Sequence, residues 1–438
     1  MSCQDEIRII GGGLAGAEAA FQIARRGQRV ALYEMRPARM TEAHKTSRLA
    51  ELVCSNSLKS ELLTTGSGLL KAELLSLGSV LLGIAQEVRV PAGTALAVDR
   101  LKFSERVEEA LSREAGIRVV REEVCELEPA QLTIVASGPL TSKSLSEWIA
   151  RFLGHDSLFF FDAISPIIDS ETIDHERTFP ASRYDKGSGP YLNCPFTEGE
   201  FDNFWEELVK ARVADCRAFE TGLFFEPCLP VEVVAGRGKM SLAFGALKPV
   251  GLVDPHTGRI PHAVVQLRPE NVEKTAYGMV GFQTRLKIEE QKRVFRMIPG
   301  LERAEFLRYG SVHRNSFIDA PACLLPTLQT RRSPTMFFAG QLSGVEGYVP
   351  SIATGLLAGM NVARLAAGRD PVVPPPETAV GSLCRYIASA GVSPFQPMNF
   401  NFGLLPPLPR RVRTKLHRKE AAASRAMKAI EEWREITV

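Results

Sequence analysis

Two of the eight cysteines in this 438-residue chain lie among residues that could make a thiol reactive. Cys54 lies in the segment AELVCSNSLKS and Cys228 in the segment FFEPCLPVE, and both segments mix apolar residues with a nearby carboxylate or hydroxyl group. A thiolate in such surroundings could attack an electrophilic carbon and form a covalent intermediate. The competing interpretation, for either cysteine taken alone, is a buried and inert thiol.

A reactive cysteine needs a thiol pKa below its usual value, and therefore a cation or a helix N-terminus nearby. Two basic stretches contain residues that could supply this cation or contact phosphate groups: His44, Lys45, Arg48, His313 and Arg314. Each of them could equally be a surface charge or a structural hydrogen-bond donor. The sequence alone does not choose between these roles.

The cysteine spacing and the charge pattern argue against several classes of protein. The cysteines show no regular spacing, no CxxC pair and no cluster with histidine, so we expect neither a disulfide framework nor a metal site. The first ten residues contain two acids and lack the basic start of a signal peptide. Lys71 and Glu73 interrupt the apolar stretch 62–85, so we expect no membrane segment. Together these features predict a cytoplasmic protein.

The N-terminal segment has the spacing of a dinucleotide-binding unit. A mostly apolar strand at residues 7–10 leads into GGGLAG, which places Gly11, Gly13 and Gly16 in the pattern G-x-G-x-x-G. The first glycine of this pattern allows a tight turn, the second lets the backbone approach a pyrophosphate, and the third lets helix and strand pack closely. The loop would place a helix N-terminus against the pyrophosphate.

The elements that follow have the expected order. An alanine-rich helix is predicted over 14–26, stopped by Gly27, and a second strand over 29–33 ends at Glu34. Glu34 lies 21 residues after the second glycine of the pattern, where a carboxylate would bind an adenosine ribose. The residues predicted to contact the dinucleotide are Gly11, Gly12, Gly13, Leu14, Ala15, Gly16, Glu34, Met35 and Arg36.

Two later segments favour FAD over NAD as the dinucleotide. A short strand at 132–135 is followed by small residues that let a backbone pass close to a cofactor. A further strand at 336–339 leads into GQLSGVEGYVPSIATG, which resembles the last flavin-contacting element of glutathione-reductase-like flavoproteins, with Gln341 in place of the usual Asp. The alternative is a glycine-rich loop that caps a helix. The predicted flavin contacts are Ser137, Gly138, Gly340, Gln341, Gly347 and Tyr348.

The predicted nucleotide fold is split along the chain, because 197 residues lie between Gly138 and the last of these strands. Such a gap is too long for a loop, and it contains short apolar and β-branched runs typical of strands. The sequence therefore predicts an α/β fold. Its parts are a glutathione-reductase-like Rossmann FAD-binding domain (1–145 and 325–404), a large α+β inserted domain expected to bind the substrate (146–324) and a basic C-terminal helix (405–438).

The net charge of +3 is unevenly distributed. Residues 405–438 contain nine Lys or Arg and four Asp or Glu, which gives +5, so the remaining 404 residues carry 3 − 5 = −2. A basic extension on a nearly neutral body favours a polyanionic partner. The alternative is a solvated surface helix without a partner.

Eight runs, in order along the chain, are specific enough to identify a family: EMRPARMTEAHKTSRLAELVCSNS, VPAGTALAVDR, FFEPCLPVE, KPVGLVDPHTG, AVVQLR, GFQTRLK, HRNSF and AGQLSGVEGY. They resemble the TrmFO family, the folate- and FAD-dependent tRNA (uracil-5-)-methyltransferases, which are related to the GidA flavoproteins. The resemblance extends over nearly the whole chain. Leu49, where a phenylalanine is usual, is a small departure at a position with no assigned role.

The resemblance implies methylation of carbon 5 of the T-loop uridine, position 54 of tRNA, to ribothymidine. Methylenetetrahydrofolate would donate the carbon, NAD(P)H would reduce FAD, and reduced FAD would act as reductant and carbon carrier. Carbon 5 of uracil is a poor nucleophile until a thiolate adds to carbon 6, and the base must leave its stack to react. By motif, Cys228 would add to carbon 6, and Cys54 would protect the flavin-bound carbon or accept the carbon 5 proton.

For the basic tail, the resemblance implies contacts with phosphates of the tRNA T arm. Such contacts give affinity without sequence choice, and specificity would come from shape and unpaired bases. No obligatory protein partner is expected. The predicted phosphate contacts are Arg410, Arg411, Arg413, Lys415, Arg418 and Lys419.

Three other interpretations stay open at this stage. A GidA/MnmG-like enzyme would modify wobble uridines with a partner GTPase, but such chains are considerably longer and carry an extra helical C-terminal region. A small-molecule flavin oxidoreductase would leave the basic tail without a role. A non-catalytic flavin-binding RNA-binding protein or redox sensor would leave the two cysteine motifs unexplained.

Overall fold

The computed structural model describes residues 6–154, 158–185, 191–214, 229–271, 273–389, 395, 397–410 and 412–437. Within these ranges the side chains of residues 158–164, 185, 312–314 and 389 are not described. Two predicted site residues, Cys228 and Arg411, lie outside the described residues, as do the side chains of His313 and Arg314.

The strands and helices follow one another along the whole described chain. The strands are β1 (Ile7–Ile10), β2 (Val30–Tyr33), β3 (Ser57–Ser60), β4 (Arg89–Val90), β5 (Ala95–Val98), β6 (Ile117–Val120), β7 (Thr133–Val135), β8 (Leu158–Ile164), β9 (Ile167–Asp169), β10 (Phe179–Ala181), β11 (Tyr191–Phe196), β12 (Ala263–Pro269), β13 (Ala276–Met279), β14 (Phe306–Arg308), β15 (Ser311–Phe317) and β16 (Met336–Phe338). The helices are α1 (Leu14–Ala24), α2 (Gly66–Ser76), α3 (Val80–Glu87), α4 (Arg100–Arg113), α5 (Lys143–Leu153), α6 (Glu198–Lys210), α7 (Val231–Gly236), α8 (Lys239–Phe244), α9 (Ile288–Phe295), α10 (Ala320–Cys323), α11 (Tyr348–Ala366), α12 (Ala379–Ser389) and α13 (Lys415–Thr437).

Five strands form a parallel sheet in the order β16–β7–β1–β2–β6. The strands β16, β7, β1 and β2 are short and largely apolar, with fully buried residues such as Ile9, Leu32, Ile134 and Phe337, whereas the edge strand β6 is only partly buried. Such continuous burial is typical of a parallel sheet, whose two faces are both covered. Because β16 pairs with β7 across the inserted segment, the predicted α/β fold with a split Rossmann sheet is confirmed. The exact domain boundaries stay predictions.

Helices α1 and α11 begin at the same edge of the parallel sheet, because they follow strands β1 and β16. The two helices pack closely: a Cβ added to Gly355 in α11 would lie 2.2 Å from the backbone oxygen of Ala15 in α1. Among the described residues, no side chain caps the first turn of either helix. Two uncapped helix N-termini, each the positive end of a helix dipole, therefore lie at this edge.

The inserted segment forms a second sheet with its own core. Its six strands are antiparallel, in the order β10–β11–β12–β13–β9–β14. Aromatic rings from the sheet, its helices and its loops fill the core: Phe196, Phe201, Phe204, Phe282 and Phe295. This is the α+β composition predicted for the insertion.

The two ionisable residues that interrupt the apolar stretch 62–85, Lys71 and Glu73, are both buried and hydrogen-bonded. Lys71 donates from Nζ to three consecutive carbonyl oxygens of β3, those of residues 58–60, at 2.6 to 2.8 Å. Glu73 accepts the backbone N–H groups of residues 379–380, the first two of α12, at 2.6 and 2.9 Å. Lys71 therefore fixes β3, and Glu73 joins α2 to α12.

Helix α13 lies against α2 and buries one narrow face of small and apolar residues: Ala422, Ala423, Ala426 and Ile430. Most of its charged residues are exposed to solvent. The basic C-terminal helix predicted from the sequence is therefore present, and it begins at Lys415.

No single helix in the described ranges is long and apolar enough to cross a membrane, although α2 and α3, bent by 112°, meet the length and composition requirement as a pair. The described residues also contain no group of three or more His, Cys, Asp or Glu placed to hold a metal ion.

Candidate functional site

A cavity of about 150 Å³ lies at the edge of the parallel sheet where α1 begins. We call it the glycine cavity. Twelve of the predicted cofactor contacts line it: Gly11, Gly13, Leu14, Ala15, Glu34, Met35, Arg36, Ser137, Gly138, Gly340, Gln341 and Tyr348. Of the other three, Gly12 and Gly16 pack against protein atoms, and Gly347 lines a neighbouring cavity.

The glycine loop has a geometry suited to a dinucleotide. Gly11 has a φ of 107°, in the left-handed region, and a Cβ there would lie 2.5 Å from the backbone oxygen of Ala136. A Cβ on Gly16 would lie 1.9 Å from the oxygen of Gly11, so helix and strand leave no room for a side chain. Gly13 has no atom within 4 Å of an added Cβ, and its open side faces the cavity. An open backbone beside an uncapped helix N-terminus fits a pyrophosphate.

Glu34, at the end of β2, forms a buried ion pair with Arg36. Its carboxylate accepts the N–H of Gly12 at 3.0 Å and the Nε and Nη2 groups of Arg36 at 2.9 and 3.1 Å. Burial alone would raise the pKa of Glu34, but the hydrogen bonds and charge of Arg36 outweigh it and hold that pKa below its usual value. Glu34 is therefore ionised in the cavity wall, where a ribose hydroxyl could donate to it.

His44 and Arg48, two of the predicted cations, are engaged locally. Burial, reinforced by the charge of Arg36, lowers the pKa of His44 to about 4, so the ring is neutral near pH 7. Its Nδ1 lies 2.6 Å from the hydroxyl oxygen of Thr41. Arg48 pairs with Glu105 at 2.9 Å. The structure therefore gives His44 no charge with which to activate a thiol.

A second cavity, of about 300 Å³, adjoins the first. We call it the cysteine cavity, because Cys54 lines it. The two cavities share five lining residues: Val53, Pro139, Leu140, Gln341 and Tyr348. Further walls come from residues 55–59 beside the parallel sheet and from residues 165–167 and 278–281 of the inserted segment. A molecule in the cysteine cavity would therefore touch both parts of the protein.

Cys54 is half-buried and is held by a residue that lines both cavities. Its backbone N–H donates a hydrogen bond to the hydroxyl oxygen of Tyr348, the first residue of α11, at 2.8 Å. Burial raises the pKa of the Tyr348 hydroxyl, and the neighbouring Cys54 adds to the shift. Tyr348 therefore keeps its proton at physiological pH and can donate it within the cavities.

Arg100, the first residue of α4, ties the Cys54 segment to the inserted segment. Its Nη1 donates to the carbonyl oxygen of Leu52 at 2.8 Å. Both Nη1 and Nη2 also lie 3.5 Å from the carbonyl oxygen of Cys54. Its Nη2 also forms a 2.6 Å ion pair with Glu270, whose side chain is only 8% exposed. Arg100 is thus a cation in contact with the backbone of the predicted reactive cysteine.

Asn56 makes a second link between the same two parts of the chain. Its fully buried side chain donates to the carbonyl oxygens of Val98 at 3.0 Å and Pro269 at 2.9 Å. Its Oδ1 accepts the Nε group of Arg268 at 2.7 Å. The backbone that follows Cys54 is therefore fixed against β12.

Known proteins resemble the chain over nearly its full length. A family model described as "Glucose inhibited division protein A" matches residues 6–370. The "Methylenetetrahydrofolate--tRNA-(uracil-5-)-methyltransferase TrmFO" of Pelotomaculum thermopropionicum is 53% identical over 429 residues, or 98% of each chain. The protein of the same name from Heliobacterium modesticaldum is 55% identical, over 98% of this chain and 97% of the relative. The chain belongs to the TrmFO family.

The fold of this TrmFO-family chain matches a solved structure of Aquifex aeolicus GidA with a TM-score of 0.72. The identity is 19%, and the alignment covers 99% of this chain and 75% of the GidA chain. At this identity the likeness establishes the fold alone. The family resemblance and the fold class predicted from the sequence are both confirmed.

Sequence analysis did not identify the side chains that hold Cys54 in this TrmFO-family protein. Arg100 and Asn56 each lie in a run that carried the family resemblance, VPAGTALAVDR and the run that ends in CSNS. The sequence therefore contained both residues within recognisable motifs. It could not predict their partners Glu270 and Pro269, because these lie about two hundred residues away and only the tertiary structure brings them together.

Four of the phosphate contacts predicted for the tail are exposed at the start of α13 or just before it: Arg410, Arg413, Lys415 and Arg418. Lys419 is half-buried, with its Nζ 5.6 Å from the centroid of the Phe402 ring. These cations are accessible to a polyanion, as a role in binding tRNA requires.

Proposed function

We propose that this protein methylates carbon 5 of the T-loop uridine, position 54 of tRNA, with methylenetetrahydrofolate as the carbon donor. Relatives that are 53% and 55% identical over nearly their whole length are named for methyl transfer from methylenetetrahydrofolate to uracil-5 of tRNA, and this chain is an enzyme of that kind. The structural observation that carries the proposal is the position of Tyr348, which lines both cavities and holds Cys54.

FAD is the cofactor, and the residues of the glycine cavity fit it. The open backbone at Gly13 and the uncapped start of α1 would hold the pyrophosphate, and the ionised Glu34 would accept a ribose hydroxyl. Gln341, whose Nε2 donates to Glu346 at 2.8 Å, lies where the two cavities meet and would face the flavin end. When bound, FAD supplies the reducing electrons, which NAD(P)H renews, and carries the carbon.

The cysteine cavity would take the uracil and the folate. A thiolate adds to carbon 6 of the base, and carbon 5 then attacks the one-carbon unit as the bond between that unit and its carrier nitrogen breaks. Carbon 5 loses its proton to a base and the thiolate leaves carbon 6. The two electrons that convert the methylene to a methyl group would come from the reduced cofactor. The resemblance assigns the thiolate to Cys228, which lies outside the described residues, and gives Cys54 either protection of the flavin-bound carbon or acceptance of the carbon 5 proton. Cys54 is suitably placed because it is half-buried and lines the cavity.

Modification of wobble uridines, as expected of a GidA/MnmG-like enzyme, is the second possibility for this fold. GidA of Aquifex aeolicus shares the fold, but this chain spans only 75% of its length. By contrast, the chain spans 97% to 98% of TrmFO relatives that are more than half identical. Identity above one half over nearly the whole length of these relatives favours the uracil-5 reaction.

The remaining expectations concern the partner and the compartment. The substrate of the family is tRNA, and we infer that the exposed cations at the start of α13 bind phosphates of its T arm. Cytoplasmic location and independence from a protein partner stay predictions.

A tRNA transcript that contains 5-fluorouridine tests this function, because fluorine at carbon 5 cannot leave as a proton and the adduct at carbon 6 persists. We expect the wild-type protein, loaded with FAD and methylenetetrahydrofolate, to form an adduct stable to denaturation when fluorouridine occupies the T loop. Cys228→Ala should form none, and Cys54→Ala should retain it. Adduct formation by Cys228→Ala at the wild-type rate would refute the cysteine assignment. An adduct only with fluorouridine at the wobble position would favour the GidA-like reaction.

A further inference from the structure

A third cavity, of about 290 Å³, lies between the proline-rich segment 402–408 and the first two turns of α13. We call it the tail cavity. Its apolar walls are Phe402, Leu405, Pro406, Pro407 and Leu408. Three basic residues of α13 complete the lining: Lys415, Arg418 and Lys419. The cavity therefore combines a flat apolar surface with concentrated positive charge.

Side-chain contacts hold this cavity in shape. Arg425 of α13 donates to the carbonyl oxygens of Pro406 at 2.5 Å and Pro407 at 2.9 Å, which fixes the proline-rich segment to the helix. Lys419 places its Nζ 5.6 Å from the centroid of the Phe402 ring. Lys419 thus lies over the ring in a cation–π contact. Aromatic rings together with cations are what proteins use to bind bases of single-stranded nucleic acid.

The tail cavity is close to the cysteine cavity along a fixed stretch of backbone. Asn399 lines the cysteine cavity, and Phe402 follows only three residues later. Three residues span at most about 11 Å. The backbone before Asn399 is fixed, because Met398 exchanges hydrogen bonds with Gly344 and Glu346 at 3.2 and 3.0 Å. The two cavities therefore have lining residues within about 11 Å of each other along the backbone, a separation that one folded RNA loop can span.

We propose that the tail cavity binds one unpaired nucleotide of the substrate tRNA, close in the T loop to the uridine that enters the cysteine cavity. Its base packs against Phe402 and the apolar wall, and its phosphate pairs with Lys415 or Arg418. This inference rests on the proposed function, because it requires tRNA as the substrate. It adds a base-binding site to a tail otherwise expected to contact phosphates alone.

An unpaired nucleotide suits the cavity better than an acidic peptide does. Every base has a flat aromatic face that can pack on Phe402 whatever the sequence, and every nucleotide carries a phosphate within reach of nearby cations. A carboxylate side chain would use the cations but leave the aromatic and proline wall without a complementary partner.

Binding of full-length tRNA transcript by the FAD-loaded full chain tests the proposal. Phe402→Leu keeps the apolar volume but removes the aromatic face, and we expect its dissociation constant for tRNA to rise about 5- to 100-fold, as loss of one base stack predicts. Lys419→Gln should also weaken binding. Its matched control is Lys428→Gln, which removes the same charge from an exposed position of α13 outside the cavity and should change binding less.

A photoreactive amino acid at position 402 gives a second readout that does not depend on affinity. We expect it to crosslink to a nucleotide of the T loop. Unchanged tRNA binding by Phe402→Leu, equal effects of Lys419→Gln and Lys428→Gln, or a crosslink outside the T loop would overturn the proposal. A change in self-association of Phe402→Leu without a change in tRNA binding would indicate instead that the cavity is an interface between copies of the chain. If the wild-type protein methylates tRNA while these tests fail, only this inference fails; if it neither methylates nor binds tRNA, the proposed function fails with it.

Discussion

The backbone N–H of Cys54 donates a 2.8 Å hydrogen bond to the hydroxyl oxygen of Tyr348, although 294 residues separate them in sequence. Cys54 follows the dinucleotide unit, whereas Tyr348 begins the helix that follows the last strand of the split sheet. The bond therefore fixes the predicted reactive cysteine to the element at which the glycine and cysteine cavities meet.

Tyr348→Phe removes the acceptor of this hydrogen bond and leaves a partly buried N–H without its partner. Loss of such a bond costs about 1 to 3 kcal/mol, so we expect methyl transfer to slow by about tenfold or more while the protein still folds and binds FAD. Single-turnover methylation of tRNA and the thermal midpoint of unfolding measure the two effects. Wild-type turnover by Tyr348→Phe would show that the bond is not needed to position Cys54.

Much of the glycine cavity could be predicted because its requirements are local. Gly11, Gly13, Gly16 and Glu34 lie within one strand–helix–strand unit, and each has a backbone or charge requirement that the spacing expresses directly. The fold class followed from the same unit and from the strand near residue 336.

The supports of Cys54 could not be predicted in the same way. Arg100 pairs with the carboxylate of Glu270, 170 residues away, and only the packing of two sheets brings these side chains together. Lys71 and Glu73 appeared only as charges that interrupt an apolar stretch, and burial turns each into a structural contact. Local sequence patterns therefore predicted the glycine cavity, whose residues come from one regular unit. They did not predict the contacts around Cys54, which form between distant segments of the chain.

Arg100→Gln breaks the ion pair that joins the Cys54 segment to the inserted segment and leaves Glu270 nearly buried without its partner. Removing one partner of a buried pair costs about 3 to 5 kcal/mol, so we expect a comparable loss in the free energy of unfolding measured with urea. Arg106→Gln, on the same helix, is the control, because Arg106 and its partners Glu87 and Glu109 are exposed and loss of these ion pairs should change the free energy of unfolding far less. Equal losses for the two variants would contradict a special role for the Arg100–Glu270 pair.

Glu73 makes the stability depend on pH. Burial raises the pKa of Glu73 to about 8, although the backbone N–H groups of α12 oppose the shift. The folded state holds the proton of Glu73 more tightly than the unfolded state does. Protonated Glu73 therefore contributes fully to the free energy of unfolding below about pH 4.5, and this contribution is lost as the pH rises towards 8. The limiting slope is about 1.4 kcal/mol per pH unit. Glu73→Gln cannot titrate, so urea unfolding between pH 5 and 8 should show a shallower decline. Parallel curves for the variant and the wild type would disprove this role.

Gly13→Ala and Gly16→Ala separate cofactor binding from folding. An added Cβ at Gly13 meets open space at the cavity, so we expect this variant to fold with a wild-type thermal midpoint but to bind FAD at least tenfold more weakly. An added Cβ at Gly16 lies 1.9 Å from a backbone oxygen, so that variant should lose thermal stability even without FAD. FAD titration by flavin fluorescence and thermal unfolding of the FAD-free protein measure the two effects. The interpretation fails if Gly13→Ala binds FAD normally.

The central claim is tested most directly by transfer of labelled carbon from methylenetetrahydrofolate to an unmodified tRNA transcript in the presence of FAD and NADPH, followed by mapping of the labelled nucleotide. We predict label in the methyl group attached to carbon 5 of the T-loop uridine at position 54, with no transfer when FAD is omitted. Label at a wobble uridine, or no label from a flavin-containing protein that binds tRNA, would contradict the account.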